Sequence, residues 1–180
     1  MLGIRYVGAG VAASANGMDK DLMKRQLAGA GLPVCPWVTI AKTDWDDDQA
    51  ACVARVVEAL TFPVYVKPAR GGSSMGISRV TEASGLAAAI VDAQRFDPKV
   101  LVEAGFVGAR EIELAVLGTL GGRPRVSTAG EIVMHTADAF YDFEAKYTPE
   151  NQVSLQIPAD VAPEALASMQ ALAAGAFDAL

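Results

Sequence analysis

A strand–loop–strand stretch decides the fold of this chain: residues 63–80 read PVYVKPARGGSSMGISRV. Apolar residues before Lys67 and after Gly76 predict two strands, so the glycines and serines between them form the tip of a hairpin. Closely spaced glycines let backbone N–H groups approach an anion, and Lys67 adds a cation at the start of the loop. The loop matches neither a Walker A sequence nor a GxGxxG turn that opens a helix. Composition alone leaves two interpretations open, a phosphate-binding loop and a flexible hairpin tip.

Helices and short strands are predicted on both sides of this hairpin, without regular alternation. The predicted helices cover residues 20–30 after a cap at 16–19, a segment after Asp48 with Val53, Val56, Val57 and Leu60 on one face, a segment marked by Leu86, Ile90 and Ala93, and residues 163–180. The predicted strands cover residues 37–40, 63–68, 77–80, 100–103, 112–116 and 125–133. The first fifteen residues are typical of a loop or linker. This order predicts an α+β fold and not a doubly wound sheet.

The overall composition narrows the class of protein. The chain has 180 residues, 52% of them hydrophobic, and a formal net charge of −6. This charge disfavours nucleic acid or an anionic membrane surface as a partner, although a pocket for an anion sets its own local field. No apolar run reaches the roughly 18 residues of a membrane span, and the N-terminal residues lack a secretory signal. Because Cys35, Cys52 and His135 lie in unrelated contexts, we expect reduced thiols in a cytoplasmic protein and no zinc site.

Several side chains outside the glycine loop have types suited to chemistry. Lys20 lies in the first turn of a predicted helix, where most lysines are only solvated. Glu103 ends an apolar strand, and Glu111 and Glu113 share one face of the next strand. Such carboxylates accept hydrogen bonds from a ligand or act as general acids and bases, but a solvated strand face is the commoner case. Residues 140–147 combine aromatic and charged side chains whose polar tips require partners.

Taken together, these segments resemble the D-alanine–D-alanine ligases of the ATP-grasp superfamily. The matching segments occur in order along most of the chain: residues 6–11, 13–20, 63–78, 102–103, 130–132 and 140–147. The resemblance implies an ATP-grasp fold and a cytoplasmic enzyme that makes D-alanyl-D-alanine for peptidoglycan precursors. In that reaction ATP phosphorylates the carboxylate of one D-alanine, and the amine of a second D-alanine attacks the acyl phosphate.

The resemblance also implies which residues bind ATP. Lys20 and Lys67 would contact its phosphates. Glu103 would lie near the adenine amino group, and Ala104 and Phe106 would line the base. Glu111 would bind the ribose, although residues 108–111 depart slightly from the usual family spacing.

The glycine loop and the aromatic segment would serve the phosphates and the substrate. The resemblance implies that Gly72 and Ser74 lie over the phosphates and that Ser73 helps to place the substrate. Lys146 would reach the transferred phosphate, and Tyr147 would hydrogen-bond with Ser73 on a loop that closes over the site. A tyrosine at position 147 favours D-alanine over D-lactate as the second substrate.

Parts of the family pattern are missing from the sequence. These are the N-terminal domain, with its glutamate for the first D-alanine, and the Arg-x-Asp and Glu-x-Asn stretches that hold Mg²⁺. We therefore expect a linker over residues 1–18, the small ATP-grasp lobe over 19–105 and part of the large lobe over 106–180. We expect the Mg²⁺ ligands outside this chain, an inactive chain by itself, and a homodimeric parent enzyme. Two alternatives stay open, a non-catalytic nucleotide-binding fragment and an ATP-grasp ligase with a different acceptor.

Overall fold

A computed structural model describes residue 4 and residues 6–118, 122–135 and 153–180. Helices α1 to α6 cover Val11–Met18, Lys20–Gly29, Lys42–Asp47, Gln49–Ala59, Leu86–Ala93 and Pro163–Ala179, and a 3-10 turn, Ala83–Gly85, precedes α5. Strands β1 to β9 cover Trp37–Ala41, Val64–Pro68, Ser78–Val80, Lys99–Ala104, Glu111–Glu113, Val116–Leu117, Arg125–Val126, Gly130–Met134 and Val153–Gln156. The α+β prediction is confirmed. None of these helices has the length and apolar content needed to cross a bilayer.

A four-stranded antiparallel sheet organises the first half of the chain. Its strand order is β1-β4-β2-β3, so the central strands are β4 and β2. The predicted hairpin of residues 63–80 is confirmed as β2 and β3, which pair with Val64 opposite Val80. The later strands form a three-stranded sheet, β5-β8-β9, and a small pair, β6-β7. The glycine loop joins β2 to β3 and therefore projects from one end of the four-stranded sheet.

One face of the four-stranded sheet builds the hydrophobic core. Alternate residues of a strand point to the same side, and on this side they are aliphatic. The register places Val66 opposite Val102 and Ile40 opposite Val100, and α3, α4 and α5 cover them. The core contains Ile40, Val64, Val66, Val80, Val100 and Val102 from the strands, and Trp45, Cys52, Val56, Leu60, Leu86, Ala89, Ile90 and Ala93 from the helices and their ends.

The prediction of a loop over the first fifteen residues is wrong for its last part. Residues Val11–Met18 form α1, a helix that has no buried residue and no side-chain N-cap. Three alanines at positions 12, 13 and 15 favour a helix by intrinsic propensity, which a search for an apolar face does not detect. Asp19 ends α1 and caps α2, because its side chain accepts from the N–H groups of Asp21 and Leu22.

The apolar face predicted for α4 is only partly correct. Val56 and Leu60 are buried as predicted, but Val57 is 46% exposed. Cys52 is buried in its place, because positions 52, 56 and 60 are spaced by four residues and so lie along one side of a helix.

The two long strands predicted at residues 112–116 and 125–133 are both interrupted. β5 and β6 flank residues 114–115, and β7 and β8 flank residues 127–129. At this break, Ser127 Oγ accepts from the N–H of Ala115 at 2.9 Å, while the N–H of Ser127 donates to the carbonyl of Ala115 at 2.9 Å. The Ser127 hydroxyl thus takes the place of a backbone acceptor for the N–H of Ala115. On either side of this point the strands pair in two short ladders, β5 with β8 and β6 with β7.

Candidate functional site

The second face of the four-stranded sheet is polar and is partly covered by α2. It carries Trp37, Thr39, Tyr65, Lys67, Lys99, Leu101 and Glu103. Asp21 of α2 accepts hydrogen bonds from Trp37 Nε1 at 3.0 Å, from Thr39 Oγ1 at 2.7 Å and from Arg25 Nε at 3.0 Å. Burial would raise the pKa of Asp21, but these three hydrogen bonds lower it. Helix α2 is therefore held on this face by buried polar contacts.

Glu103 lies between two lysines on this polar face. Its Oε1 is paired with Lys24 Nζ and its Oε2 with Lys67 Nζ, and all three side chains are largely buried. Burial would raise the pKa of Glu103, but the charge of Lys67 and the hydrogen bonds from Lys24 and Lys67 lower it. Glu103 is consequently ionised at neutral pH, with one cation on each carboxylate oxygen.

Lys20, at the start of α2, reaches the glycine loop. Its Nζ donates to the carbonyls of Gly71 at 2.9 Å and Pro68 at 3.2 Å, and its backbone N–H donates to Ala69 at 2.9 Å. Burial and then the nearby charge of Lys67 lower the pKa of Lys20. The two lysines predicted to contact phosphates therefore lie at the same end of the loop, close enough for their charges to interact.

The backbone of the glycine loop has left-handed conformations at two residues other than glycine. The φ angles are 52° at Ser73 and 57° at Ser74. Such angles are uncommon for L-residues, carry a strain cost, and concentrate at ligand sites. Tight turns also direct successive N–H groups to one side, which creates a cradle for an anion. This geometry fits the phosphate-binding interpretation better than that of a flexible hairpin tip.

Asp97 fixes the start of the loop through Arg70. Nε and Nη2 of Arg70 and its backbone N–H all donate to the Asp97 carboxylate at 2.8 Å, and the N–H of Lys99 donates to it at 2.9 Å. Burial would raise the pKa of Asp97, but these hydrogen bonds lower it to about 2. A charged, fully hydrogen-bonded anchor therefore holds the point where the loop begins.

Gly76 fixes the end of the loop against an aromatic ring. Its φ angle is +69°, and a Cβ atom added there would lie 2.5 Å from Cδ2 of Phe96. Any other residue would both clash with this ring and adopt an unfavourable backbone conformation.

A cleft of about 660 Å³ lies beside Lys67 and Glu103. Its walls include three further residues predicted to bind ATP, namely Ala104, Phe106 and Glu111. The volume lies within the range of roughly 300–1,000 Å³ that is usual for small-molecule sites. Phe106 is 64% exposed and so presents an apolar ring. The structure thus brings five of the predicted residues to one cleft.

The other predicted site residues lie outside this cleft. Three of them, Gly72, Ser73 and Ser74, lie in the glycine loop that follows β2. The fourth, Lys20, contacts this loop through its ammonium group. Lys146 and Tyr147 lie outside the described residues, so their roles stay predictions. Within the described residues, no three His, Cys, Asp or Glu side chains come together in a group that could hold a metal ion.

Two features of the site were missed from the sequence. One is Lys24, which lies one helical turn after Lys20 and hence on the same side of α2, a spacing that could have marked it. The other is a bidentate pair at the cleft, in which Arg110 donates to Glu131 at 2.7 and 2.6 Å. Arg110 also donates to the carbonyl of Asp160 at 2.8 Å. No local pattern marks this second pair, because Arg110 lies just before β5 and Glu131 lies in β8.

The protein-family model described as "D-ala D-ala ligase C-terminus" matches residues 26–180. The chain belongs to this family. It is 52% identical over 177 residues to the D-alanine--D-alanine ligase of Kineococcus radiotolerans, a match that covers 98% of this chain and 46% of that protein. It is 48% identical over 178 residues to the ligase of Listeria monocytogenes, covering 98% and 47%. The chain spans about half the length of the curated relatives it matches.

Solved structures of family members share the fold. The VanG D-Ala:D-Ser ligase from Enterococcus faecalis superposes with a TM-score of 0.77 at 31% identity, covering 93% of this chain and 46% of that one. The D-alanine-D-alanine ligase from Coxiella burnetii gives a TM-score of 0.76 at 29% identity, covering 97% and 43%. The predicted ATP-grasp fold is therefore confirmed. The lobe boundaries at residues 18 and 105 stay predictions.

Proposed function

We propose that this chain is the ATP-binding part of a cytoplasmic enzyme that joins two D-alanine molecules for peptidoglycan synthesis. One observation carries the proposal: Lys20 and Lys67 meet at a strained glycine loop beside a cleft that contains Glu103. Cations and backbone N–H groups at a loop suit phosphates, and a carboxylate at the base of a cleft suits an amino group. The substrates come from the names of the relatives.

The proposal assigns ATP to the cleft and the loop. The base would lie against Ala104 and Phe106, with its amino group donating to Glu103, and Glu111 would accept from the ribose. The phosphates would then extend along β2 toward Lys67 and the loop. Both ends of that loop are fixed, so little conformational freedom is lost when an anion binds.

The proposed reaction has two steps that conserve atoms and charge. A carboxylate oxygen of the first D-alanine attacks the γ-phosphorus of ATP, and the bond to ADP breaks. The amine of the second D-alanine then attacks the acyl carbon, phosphate leaves with the electron pair, and the new amide nitrogen loses a proton. Lys20 and Lys67 would offset the negative charge that moves between these oxygens.

The remaining elements of the proposal concern the substrate and the assembly. Ser73, Lys146 and Tyr147 would hold the substrate and the transferred phosphate. Mg²⁺ is proposed as a cofactor with ligands outside the described residues. The small lobe would cover residues 19–105 and the large lobe would begin at 106. The parent enzyme would be a homodimer that binds neither membranes nor nucleic acid.

Calorimetric titration with ATP tests the nucleotide part of the proposal. Lys67→Ala removes the cation at the start of the loop, and we expect ATP affinity to fall about tenfold or more, since a charged hydrogen bond contributes about 1.5–3 kcal/mol. Lys42→Ala is the matched control, because Lys42 is an exposed lysine of α3 whose ammonium group pairs with Asp46 one helical turn away. Equal affinities for all three proteins would refute the phosphate assignment.

A chimera tests the ligase activity itself. Residues 4–180 would replace the matching half of the Kineococcus radiotolerans ligase, and D-alanyl-D-alanine would be measured by mass spectrometry with D-alanine or L-alanine as substrate. We expect dipeptide from D-alanine only, and none after Lys67→Ala. A stable chimera that binds ATP but forms no dipeptide would contradict the ligase assignment.

A second candidate is a ligase of the same fold with a different acceptor. The similarity to the VanG D-Ala:D-Ser ligase supports this second candidate, because the name of that protein gives D-serine as a substrate. The same chimera, supplied with D-alanine and D-serine together, distinguishes the two, because the mixed dipeptide differs in mass from D-alanyl-D-alanine.

A further inference from the structure

Lys24 is a buried lysine that the proposed ATP site does not use directly. Its side chain is 8% exposed, and it does not line the cleft. Its ammonium group pairs with Glu103 Oε1, donates to the carbonyl of Cys35 at 3.0 Å, and lies 5.3 Å from the centre of the Trp37 ring. An ammonium group has three N–H donors, and each of these neighbours takes one direction. Lys24 is therefore fully engaged by fixed groups and unable to turn toward a ligand.

The second lysine on Glu103 is placed differently. Lys67 pairs with Oε2 of the same carboxylate, but it lines the cleft and is more exposed than Lys24. A phosphate in the cleft would compete with Glu103 for Lys67, whereas Lys24 is not among the residues that line the cleft. A ligand in the cleft would therefore displace Lys67 from Glu103 and leave Lys24 in place.

Removal of Lys67 from the carboxylate would leave Glu103 with a single cation. A buried carboxylate without any counter-charge takes up a proton, because burial raises its pKa. Among the described residues, the charges that face Glu103 are Lys24 and, more distantly, Lys20 from α2, and Lys67 from β2. The aromatic side chains of Trp37 and Tyr65 lie opposite Glu103 on the neighbouring strands. Lys24 is then the close partner that remains.

We propose that Lys24 is a positioning residue that keeps Glu103 ionised and oriented when a nucleotide draws Lys67 away, and so sets the preference for adenine over a 6-oxopurine. An ionised carboxylate accepts from the amino group of adenine and repels the carbonyl oxygen of hypoxanthine. A protonated or reoriented Glu103 no longer distinguishes the two bases. This inference rests on the proposed function, because it requires the base to lie against Glu103.

The test compares the affinities of ATP and ITP for the full chain by calorimetry. We expect the wild-type chain to prefer ATP by about tenfold or more. In Lys24→Met the preference falls below about threefold, while Lys42→Met, an exposed control, keeps it. The ratio in Lys24→Met also declines from pH 8 to pH 5.5, because loss of the cation raises the pKa of Glu103. The wild-type ratio stays constant over that range.

A purely structural role for Lys24 would give a different result. Both affinities would then fall in the same proportion and the ATP:ITP ratio would be unchanged, which overturns the inference. If Lys24→Met does not fold, as shown by its circular dichroism and thermal melting, Lys24→Gln decides instead, since its amide NH₂ group can still donate hydrogen bonds but has no charge. A wild-type ratio that falls toward pH 5.5 also overturns the inference.

Failure of the inference differs from failure of the proposed function. A wild-type chain that binds ATP and ITP equally retains the nucleotide site but removes the role given to Glu103 and Lys24. A folded wild-type chain that binds neither nucleotide overturns the proposed function and the inference with it.

Discussion

The two faces of the four-stranded sheet are built from alternate residues of the same strands, yet they differ in almost every physical respect. In β1, Ile40 is fully buried among aliphatic side chains, while its neighbour Thr39 donates to the Asp21 carboxylate. In β4, Val102 belongs to the core, while Glu103 binds two lysines. Removal of apolar surface from water stabilises the first face, whereas hydrogen bonds and ion pairs fix the positions of the side chains on the second.

The difference teaches where stability and function lie. Apolar burial is non-directional and contributes strongly to stability, whereas buried ion pairs contribute little net stability because desolvation opposes them. The ion pairs of Glu103 on the polar face are therefore poorly explained as stabilising elements and well explained as part of a site. Changes on the core face should lower stability without altering binding, whereas changes to Glu103 and its lysines should alter binding. Changes to the hydrogen bonds that hold α2 and the loop should lower stability by smaller amounts or make it depend on pH.

The largest expected effect is on the core face. Ile40→Ala deletes buried methyl and methylene groups and leaves a cavity, so we expect the free energy of unfolding to fall by about 3 kcal/mol. Val57→Ala, on the exposed side of α4, is the control and should change stability by less than about 0.5 kcal/mol. Urea denaturation followed by circular dichroism measures both. A fall in ATP affinity of the folded Ile40→Ala protein would show that the faces are coupled.

A smaller effect is expected where α2 contacts the polar face. Asp21→Ala leaves the Trp37 and Thr39 donors without their buried acceptor, and we expect a loss of about 2 kcal/mol in unfolding free energy. Asp21→Asn retains one acceptor oxygen and should lose less. The same denaturation experiment measures the pair. A loss near zero for Asp21→Ala would mean that water or another group satisfies these donors, and that the polar contacts do not hold α2.

The smallest expected effect is the pH dependence from the loop anchor. The pKa of Asp97 in the folded chain is about 2, below the value of about 3.9 for an unfolded aspartate. Its stabilising contribution, up to about 2 kcal/mol, is therefore fully present above about pH 4 and is lost as the pH falls toward 2. Thermal melting of wild type and Asp97→Asn between pH 6 and pH 2.5 should converge at the acid end. Parallel curves would contradict the assignment.

Much of the fold follows from local pattern. The β2–β3 hairpin, strand β4 and helix α5 each combine the correct periodicity with clear boundaries, and each was predicted close to its observed bounds. The predictions of secondary structure that were wrong also have local causes. Helix α1 has propensity but no buried face, and the break between β7 and β8 depends on one hydroxyl, Ser127, that pairs with a distant backbone N–H.

The candidate site was less accessible to sequence reasoning. The glycine loop with Lys67 was recognisable from composition, but Lys20 and Glu103 were assigned to the ATP site only through the resemblance to a family. Lys24 was missed because its meaning depends on Glu103, which lies in a different element and joins it only when the sheet has formed. Pairings of this kind are set by strand register and helix docking, and a one-dimensional pattern contains neither.

Gly76 restricts which substitutions the glycine loop can accept during evolution. Substitution there meets two independent obstacles, the ring of Phe96 and the left-handed backbone, so a smaller residue at position 96 would remove only the first. A change at position 96 therefore does not open position 76, because any residue other than glycine there would still have a left-handed backbone. Met75, its neighbour, is 48% exposed and meets no such barrier. Adjacent codons in this loop should therefore accumulate replacements at very different rates.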